Sequence, residues 1–258
     1  MRWGSARPED FTEVVIDPEM GAFGDNGCID FVKTDFDRKV NAESLLPDSF
    51  TFEKYFAGKY IGDILRHALL GLHEEGLFCK GQKTDLLRPQ GSVACADISA
   101  VEGEGGTDEA SALLKRLGMG CAEDDLDILR FVCSLLSHRC ALLVGITLAV
   151  LVERSKTQVR NNGALADKKI TQCGKSLRRV MNSCYSNPNT PIVIIVFKDA
   201  SIAVTGSLYK LHPKLKDLLE RYTCKYSGGW RSKTFLSDDG SGKGAGLVAA
   251  IAERIGKM

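Results

Sequence analysis

The stretch Glu19-Met20-Gly21-Ala22-Phe23-Gly24-Asp25-Asn26-Gly27 decides how this chain is read. It follows an apolar, β-prone run, Phe11 to Asp17, and sets an acid where that expected strand ends. Gly21, Gly24 and Gly27, with Asp25 and Asn26 among them, allow left-handed backbone angles and a close approach to a ligand. Open α/β sheets hold ligands beyond the carboxyl ends of their strands, where this turn falls. Alone it is an ordinary acidic turn. Its partners downstream give it meaning.

A chain of 258 residues suits one large domain with a real core. Its net charge of +1 gives no pull toward nucleic acid or a membrane surface, and the basic cluster Lys175, Arg178 and Arg179 reads as solvated surface. No nucleic-acid partner is expected. The nine cysteines show no C-x-x-C and no histidines at zinc spacing, so they read as reduced thiols, and no metal site is expected. Met1 to Asp10 is polar and charged, unlike a signal peptide, which makes the expected location cytoplasmic with mitochondrial-surface association left open. The longest apolar run, Ala141 to Val152, falls short of the ~20 residues that span a bilayer. It is expected as a buried helix, not a transmembrane segment.

Residues 1–10 are expected as a disordered lead-in, and 11–258 as one body. Ser49 is a candidate N-cap for a helix carrying Phe52, Tyr55 and Phe56, which Gly58 interrupts. Apolar residues from Tyr60 to Leu72 then recur at helical spacing as far as Gly76. Residues 80–107 look loop-rich, Asp108 to Leu117 fits an amphipathic helix stopped by Gly118, and Glu123 to Glu153 is periodic. The central turns of that last segment are apolar nearly all round and are expected to be buried on every side. Pro191–Phe197, Ile202–Thr205 and Thr234–Leu236 read as strands. His212-Pro213 opens a helix to Tyr222, and a closing helix spans 244–255. The class is α/β, or mixed α+β.

Two further stretches carry chemistry. Phe52-Glu53-Lys54 with Gly58-Lys59-Tyr60 sets an acid among aromatics and a cation at a helix break, although a solvated Glu on an amphipathic helix is the plain alternative. Gly206-Ser207-Leu208-Tyr209-Lys210-Leu211-His212-Pro213 ends a strand and leads into a helix, offering N–H groups and a hydroxyl to phosphate. Asp239-Gly240-Ser241-Gly242-Lys243-Gly244 does the same before the last helix. It is not a P-loop, because the first glycine of that motif is missing and Gly244 follows Lys243 where Ser or Thr is required.

These stretches, in this order, resemble the eukaryotic hexokinase/glucokinase family from about Glu19 to the end, apart from roughly 161–200. The resemblance implies the actin-like ATPase, ribonuclease-H-like fold, with this chain as the large C-terminal lobe. It implies phosphorylation of a hexose, glucose to glucose 6-phosphate, with ATP and Mg²⁺. Glu19 and Glu53 match the carboxylates that accept hydrogen bonds from sugar hydroxyls. Gly58, Lys59, Ser99, Gly206, Ser207, Leu211 and Ser241 match nucleotide-side positions.

The departures matter equally. Met20 stands for a Trp, Phe50 for a sugar-contacting Gln, Cys95 for a Thr, Ala203 for a Gly and Thr205 for an Asp. Residues of about 170–200 look inserted, as a retained exon or a lineage-specific loop. The family's small lobe, with its D-x-G-G-T-N loop and general-base Asp, is not among these residues, so no catalytic base is assigned. The chain alone is expected to be inactive, and the closing helix to expose Leu247, Val248 and Ile251 as an association surface. A non-catalytic, sugar-responsive hexokinase-like protein is the alternative.

Overall fold

Apolar periodicity from Glu123 onward carries one helix as far as Asn161, and most of the fold is arranged along it. The computed structural model describes residues 15–16, 20–161, 193–196, 201–204, 206–228 and 232–236. In chain order these form β1 (Val15–Ile16), α1 (Asp35–Glu43), α2 (Thr51–Phe56), α3 (Gly58–Glu74), α4 (Cys95–Val101) and α5 (Gly106–Arg116). There follow α6 (Glu123–Asn161), β2 (Val193–Val196), β3 (Ser201–Val204), α7 (Ser207–Leu211), α8 (Leu215–Tyr226) and β4 (Lys233–Leu236). The expected lead-in 1–10, the closing helix 244–255 and the insertion 170–200, apart from β2, lie outside the described residues.

The four strands make one sheet in the order β1-β2-β3-β4. β1 pairs with β2 and β2 with β3 antiparallel, Val193 facing Val204 and Ile195 facing Ile202. β3 and β4 are parallel, Ser201 facing Lys233. The connection between them runs through α7 and α8, as a parallel pair requires. α7 therefore starts at the carboxyl end of β3.

Helix ends follow from local chemistry. The Thr34 hydroxyl accepts the Asp37 N–H, while Asp37 accepts the Thr34 N–H at 2.7 Å, so α1 opens in a capping box. α3 stops where Gly76 turns left-handed (φ +70), with Leu77 N–H donating to the Leu72 carbonyl and Gly76 N–H to His73. The expected loop over 80–107 contains α4. Asp97 Oδ2 accepts the Ala94 N–H at 2.7 Å, which closes the first turn, and burial of Ile98 and Val101 anchors that helix.

α6 corrects a second expectation. Its central turns are not buried on every side: Phe131, Leu135, Ile146 and Val150 are exposed. The helix covers the core with one face only, against α8 above all and then α5, α3 and α2. By length and composition Glu123–Glu153 would suffice to cross a membrane, with mean hydropathy 2.0 over its most apolar stretch. Half of that stretch is buried inside the fold. His138 Nδ1 meets Tyr222 Oη at 2.8 Å and Arg139 pairs with Asp37 at 2.7 Å, interactions of a core helix.

α3 lies hard against the backbone that precedes α4. A Cβ at Gly62 would stand 2.2 Å from the Val93 carbonyl oxygen, with no flexible side chain there to yield. Gly62→Ala is therefore expected to lower the melting temperature, by the several degrees that ~1–3 kcal/mol of overpacking produces in a domain of this size. Thermal denaturation of the variant checks this, and a wild-type melting temperature would contradict it.

Candidate active site

α2 is buried along its whole length, from Thr51 to Phe56. Ser49, the expected cap, does not begin it. The N-cap position is Phe50, which takes left-handed angles (φ 55, ψ 44) and makes no side-chain cap. The acceptor comes from far along the chain: Asp25 Oδ2 accepts the Phe50 N–H at 3.1 Å and Oδ1 accepts the Thr51 N–H at 2.8 Å. Desolvation alone would raise the Asp25 carboxyl, but hydrogen bonds from Thr51 and Phe50 outweigh it and hold it below its usual value. A left-handed non-glycine costs roughly 1–2 kcal/mol. The capping bonds and the burial of Phe52 and Tyr55 offset that cost.

Glu53 is 5% exposed, which overturns the plain alternative of a solvated helix glutamate. Burial pushes its carboxyl above the ordinary value, and the charges of Lys59 and then Lys54 work against that rise. Lys54 is itself buried, its Nζ donating to Asn41 Oδ1 at 2.6 Å and to the Leu46 carbonyl at 2.7 Å. The glycine turn lies directly over Glu53. A Cβ at Gly21 would sit 3.3 Å from Glu53 Oε2 and 3.2 Å from Phe50 Cδ1, so the half-exposed Phe50 ring and the carboxylate flank one point of the turn. Glu19, two residues before Gly21, lies outside the described residues.

Past the end of α2 opens a cavity of about 290 Å³, with Phe56 among its lining residues. Gly58 and Lys59, at the break between α2 and α3, form one wall, and Gly206, Ser207, Leu208 and Tyr209 form another. Cys95 and Ala96 of α4 and Cys140, Ala141 and Val144 of α6 complete it with apolar surface. Gly206 holds φ 134 between β3 and α7, a left-handed-side angle that a residue with Cβ rarely adopts. Burial raises the Cys95 thiol to about 11, so it stays protonated beside Gly58.

The structure thus brings together Gly58, Lys59, Gly206 and Ser207, with Glu53 within electrostatic reach of Lys59. Two expected nucleotide-side residues stand apart. Ser99 does not line the cavity; its hydroxyl donates to the Cys95 carbonyl at 3.2 Å, which occupies it within α4. Leu211 is exposed at the end of α7, away from the cavity. Ser241 lies outside the described residues. The cavity residues of α6 escaped notice because an apolar helix face looks alike whether it packs on protein or borders a void.

Comparison with known proteins places the chain in a family. The family profile described as Hexokinase matches residues 2–251. The chain belongs to the hexokinase family. Hexokinase-1 of Rattus norvegicus is 31% identical over 244 residues, which are 94% of this chain and 23% of that protein. Hexokinase-2 of Equus caballus is 33% identical over 242 residues, 93% of this chain and 23% of that protein. A hexokinase from Schistosoma mansoni, solved in complex with glucose, superposes with a TM-score of 0.66 at 25% identity, covering 89% of this chain and 44% of that one. The chain therefore spans about a quarter of the length of these two curated hexokinases and under half of the solved one. Its fold is the actin-like one of the hexokinases.

The electrostatics of Glu53 give a pH-dependent prediction. Its folded-state carboxyl is raised above the ordinary 4.5, so its contribution to stability is full below that value and is lost as pH rises through the raised one. Glu53→Gln, which cannot ionise, is expected to melt a few degrees above wild type at neutral pH, with the difference vanishing below about pH 4. A variant less stable than wild type at pH 7 would contradict the assignment.

Proposed function

We propose that this chain supplies the nucleotide-binding wall and one sugar-binding wall of an ATP-dependent hexokinase, which phosphorylates a hexose such as glucose. The observation that carries it is the convergence of Gly58-Lys59 and Gly206-Ser207 on one cavity, with the buried Glu53 in electrostatic reach of Lys59. The apolar surface of Cys95, Ala96, Ala141 and Val144 suits a nucleobase and ribose, and Lys59 suits phosphate charge. Glu53, with Glu19 as its expected companion, would accept hydrogen bonds from sugar hydroxyls, at roughly 1.5–3 kcal/mol each. Lys59 then stands between the sugar carboxylate and the phosphates. In this proposal the chain is the large lobe, the segment 170–200 is an insertion, and the location is cytoplasmic.

Mg²⁺ enters with the nucleotide. The described cavity walls present no carboxylate to a divalent cation, so these residues do not fit a resident metal. What the residues do is bind and orient: Lys59 holds phosphate, Gly206-Ser207 lets backbone approach it, and Glu53 fixes a hydroxyl. No Asp, Glu or His lines the described cavity as a base for the sugar hydroxyl.

Two experiments test the proposal. Lys59→Met should weaken binding of a non-hydrolysable Mg²⁺–ATP analogue by roughly tenfold to a hundredfold, the loss of one hydrogen bond to a charged group. Calorimetry measures it, and unchanged affinity would remove Lys59 from the site. A coupled assay on the purified 258-residue chain should show negligible glucose phosphorylation, and ordinary turnover would overturn that part. One observation favours a non-catalytic, sugar-responsive role: the Phe50 ring, not a polar side chain, flanks Glu53 at Gly21. Glucose binding without turnover, even when the partner lobe of a relative is supplied, would select that role.

A further inference from the structure

The structure assigns to His212 a positioning role: this one imidazole, outside the cavity, locks together the four helices that form most of its walls. His212 is 4% exposed and sits between α7 and α8. Its Nδ1 accepts the N–H groups of Lys214 and Leu215, both at 3.2 Å, and so caps the start of α8. A nitrogen that accepts two N–H groups carries no proton, so the ring proton is on Nε2. There Nε2 meets Ser137 Oγ of α6 at 2.9 Å, while the Ser137 hydroxyl donates to the Cys133 carbonyl at 3.1 Å. Glu102 Oε2, at the end of α4, stands 3.1 Å from the same nitrogen, close but short of an aligned hydrogen bond.

Glu102 closes the junction. Its burial would raise its carboxyl, but His212, Ser137 and Lys214 outweigh that and bring it down to about 2, with Lys214 Nζ 3.4 Å from Oε1. A serine, a histidine and a glutamate in contact suggest a nucleophilic triad, yet the arrangement rules it out. Ser137 and Glu102 both meet Nε2, and that nitrogen carries the proton, so the ring cannot take one from Ser137. Its opposite nitrogen is committed to the backbone of α8. The junction is mechanical.

What it holds is the cavity. Cys95 and Ala96 lie on α4, Cys140, Ala141 and Val144 on α6, Ser207 to Tyr209 on α7, and Leu215 and Leu219 on α8. His212 bonds or abuts each of these helices, or the residue that ends it, without entering the cavity. Its consequence for nucleotide binding rests on the function proposed above, whereas the junction itself does not.

The test uses two variants that each keep half of the imidazole. His212→Asn retains an acceptor near Nδ1 for the α8 amides and loses the reach to Ser137 and Glu102. His212→Gln retains that reach and loses the acceptor. If both ends are needed, iodoacetamide should alkylate Cys95 at least tenfold faster in both variants, while Cys79, buried elsewhere in the core, reacts at the wild-type rate. Affinity for a non-hydrolysable Mg²⁺–ATP analogue should fall about tenfold, and glucose affinity should stay within twofold. Wild-type Cys95 labelling in either variant overturns the role, even if the melting temperature drops. Equal acceleration at Cys79 also overturns it, by showing general loosening. A wild-type chain that does not bind the nucleotide analogue overturns the functional proposal alone, since the labelling result still decides the junction.

Discussion

Asp25 holds the start of α2 with both carboxylate oxygens, and the geometry around Glu53 depends on that grip. α2 is short, begins at a left-handed Phe50 and has no cap of its own. An isolated helix of this length would not form in water. Burial on all sides and a carboxylate from the glycine turn make it persist, and the same contact sets that turn over Glu53. The glycine turn and the acid beside it are thus fastened to each other before any ligand arrives. Pre-organisation of this kind lowers the ordering cost of binding.

The cavity is organised differently. There a parallel β3–β4 pair forces a helical crossover, and the crossover delivers Gly206-Ser207 to the carboxyl end of a strand. The opposing wall comes from the break at Ala57-Gly58, where α2 ends and α3 begins in a new direction. α6 backs both. Half-buried and buried polar groups along it are engaged: Arg139 with Asp37, His138 with Tyr222, and Ser137 with His212. Such pairs add little net stability over apolar packing, but they specify one alignment of the helices. A cavity that must keep a fixed shape benefits from alignment more than from added stability.

Much of the fold was legible in the chain. The β-branched runs at 193–196 and 201–204 form strands because short apolar segments with little helical period pack best in a sheet. The helices α3 and α5 end where glycine follows their periodic residues. The failures share a cause. Ser49 had the chemistry of a cap, but a cap from Asp25 is invisible to local reading. α4 was hidden in a polar, glycine-rich neighbourhood, and the exposed face of α6 looked as apolar as the buried one. For Ser99 and Leu211 the motif gives the position, and only the structure shows that the Ser99 hydroxyl bonds within its own helix and that Leu211 is exposed.

By itself the sequence determined the family, the order of the motifs and which side chains have chemistry suited to a hexose and a nucleotide. Residue type and order fix these, and they survive without coordinates. Only the tertiary structure decided that Glu53 is buried and raised, that Lys59 works on both the carboxylate and the cavity, and that His212 joins four helices. Desolvation and electrostatic reach depend on distances between segments far apart in the chain, such as Glu102 and Lys214 at a separation of 112 residues, and no local pattern encodes such distances.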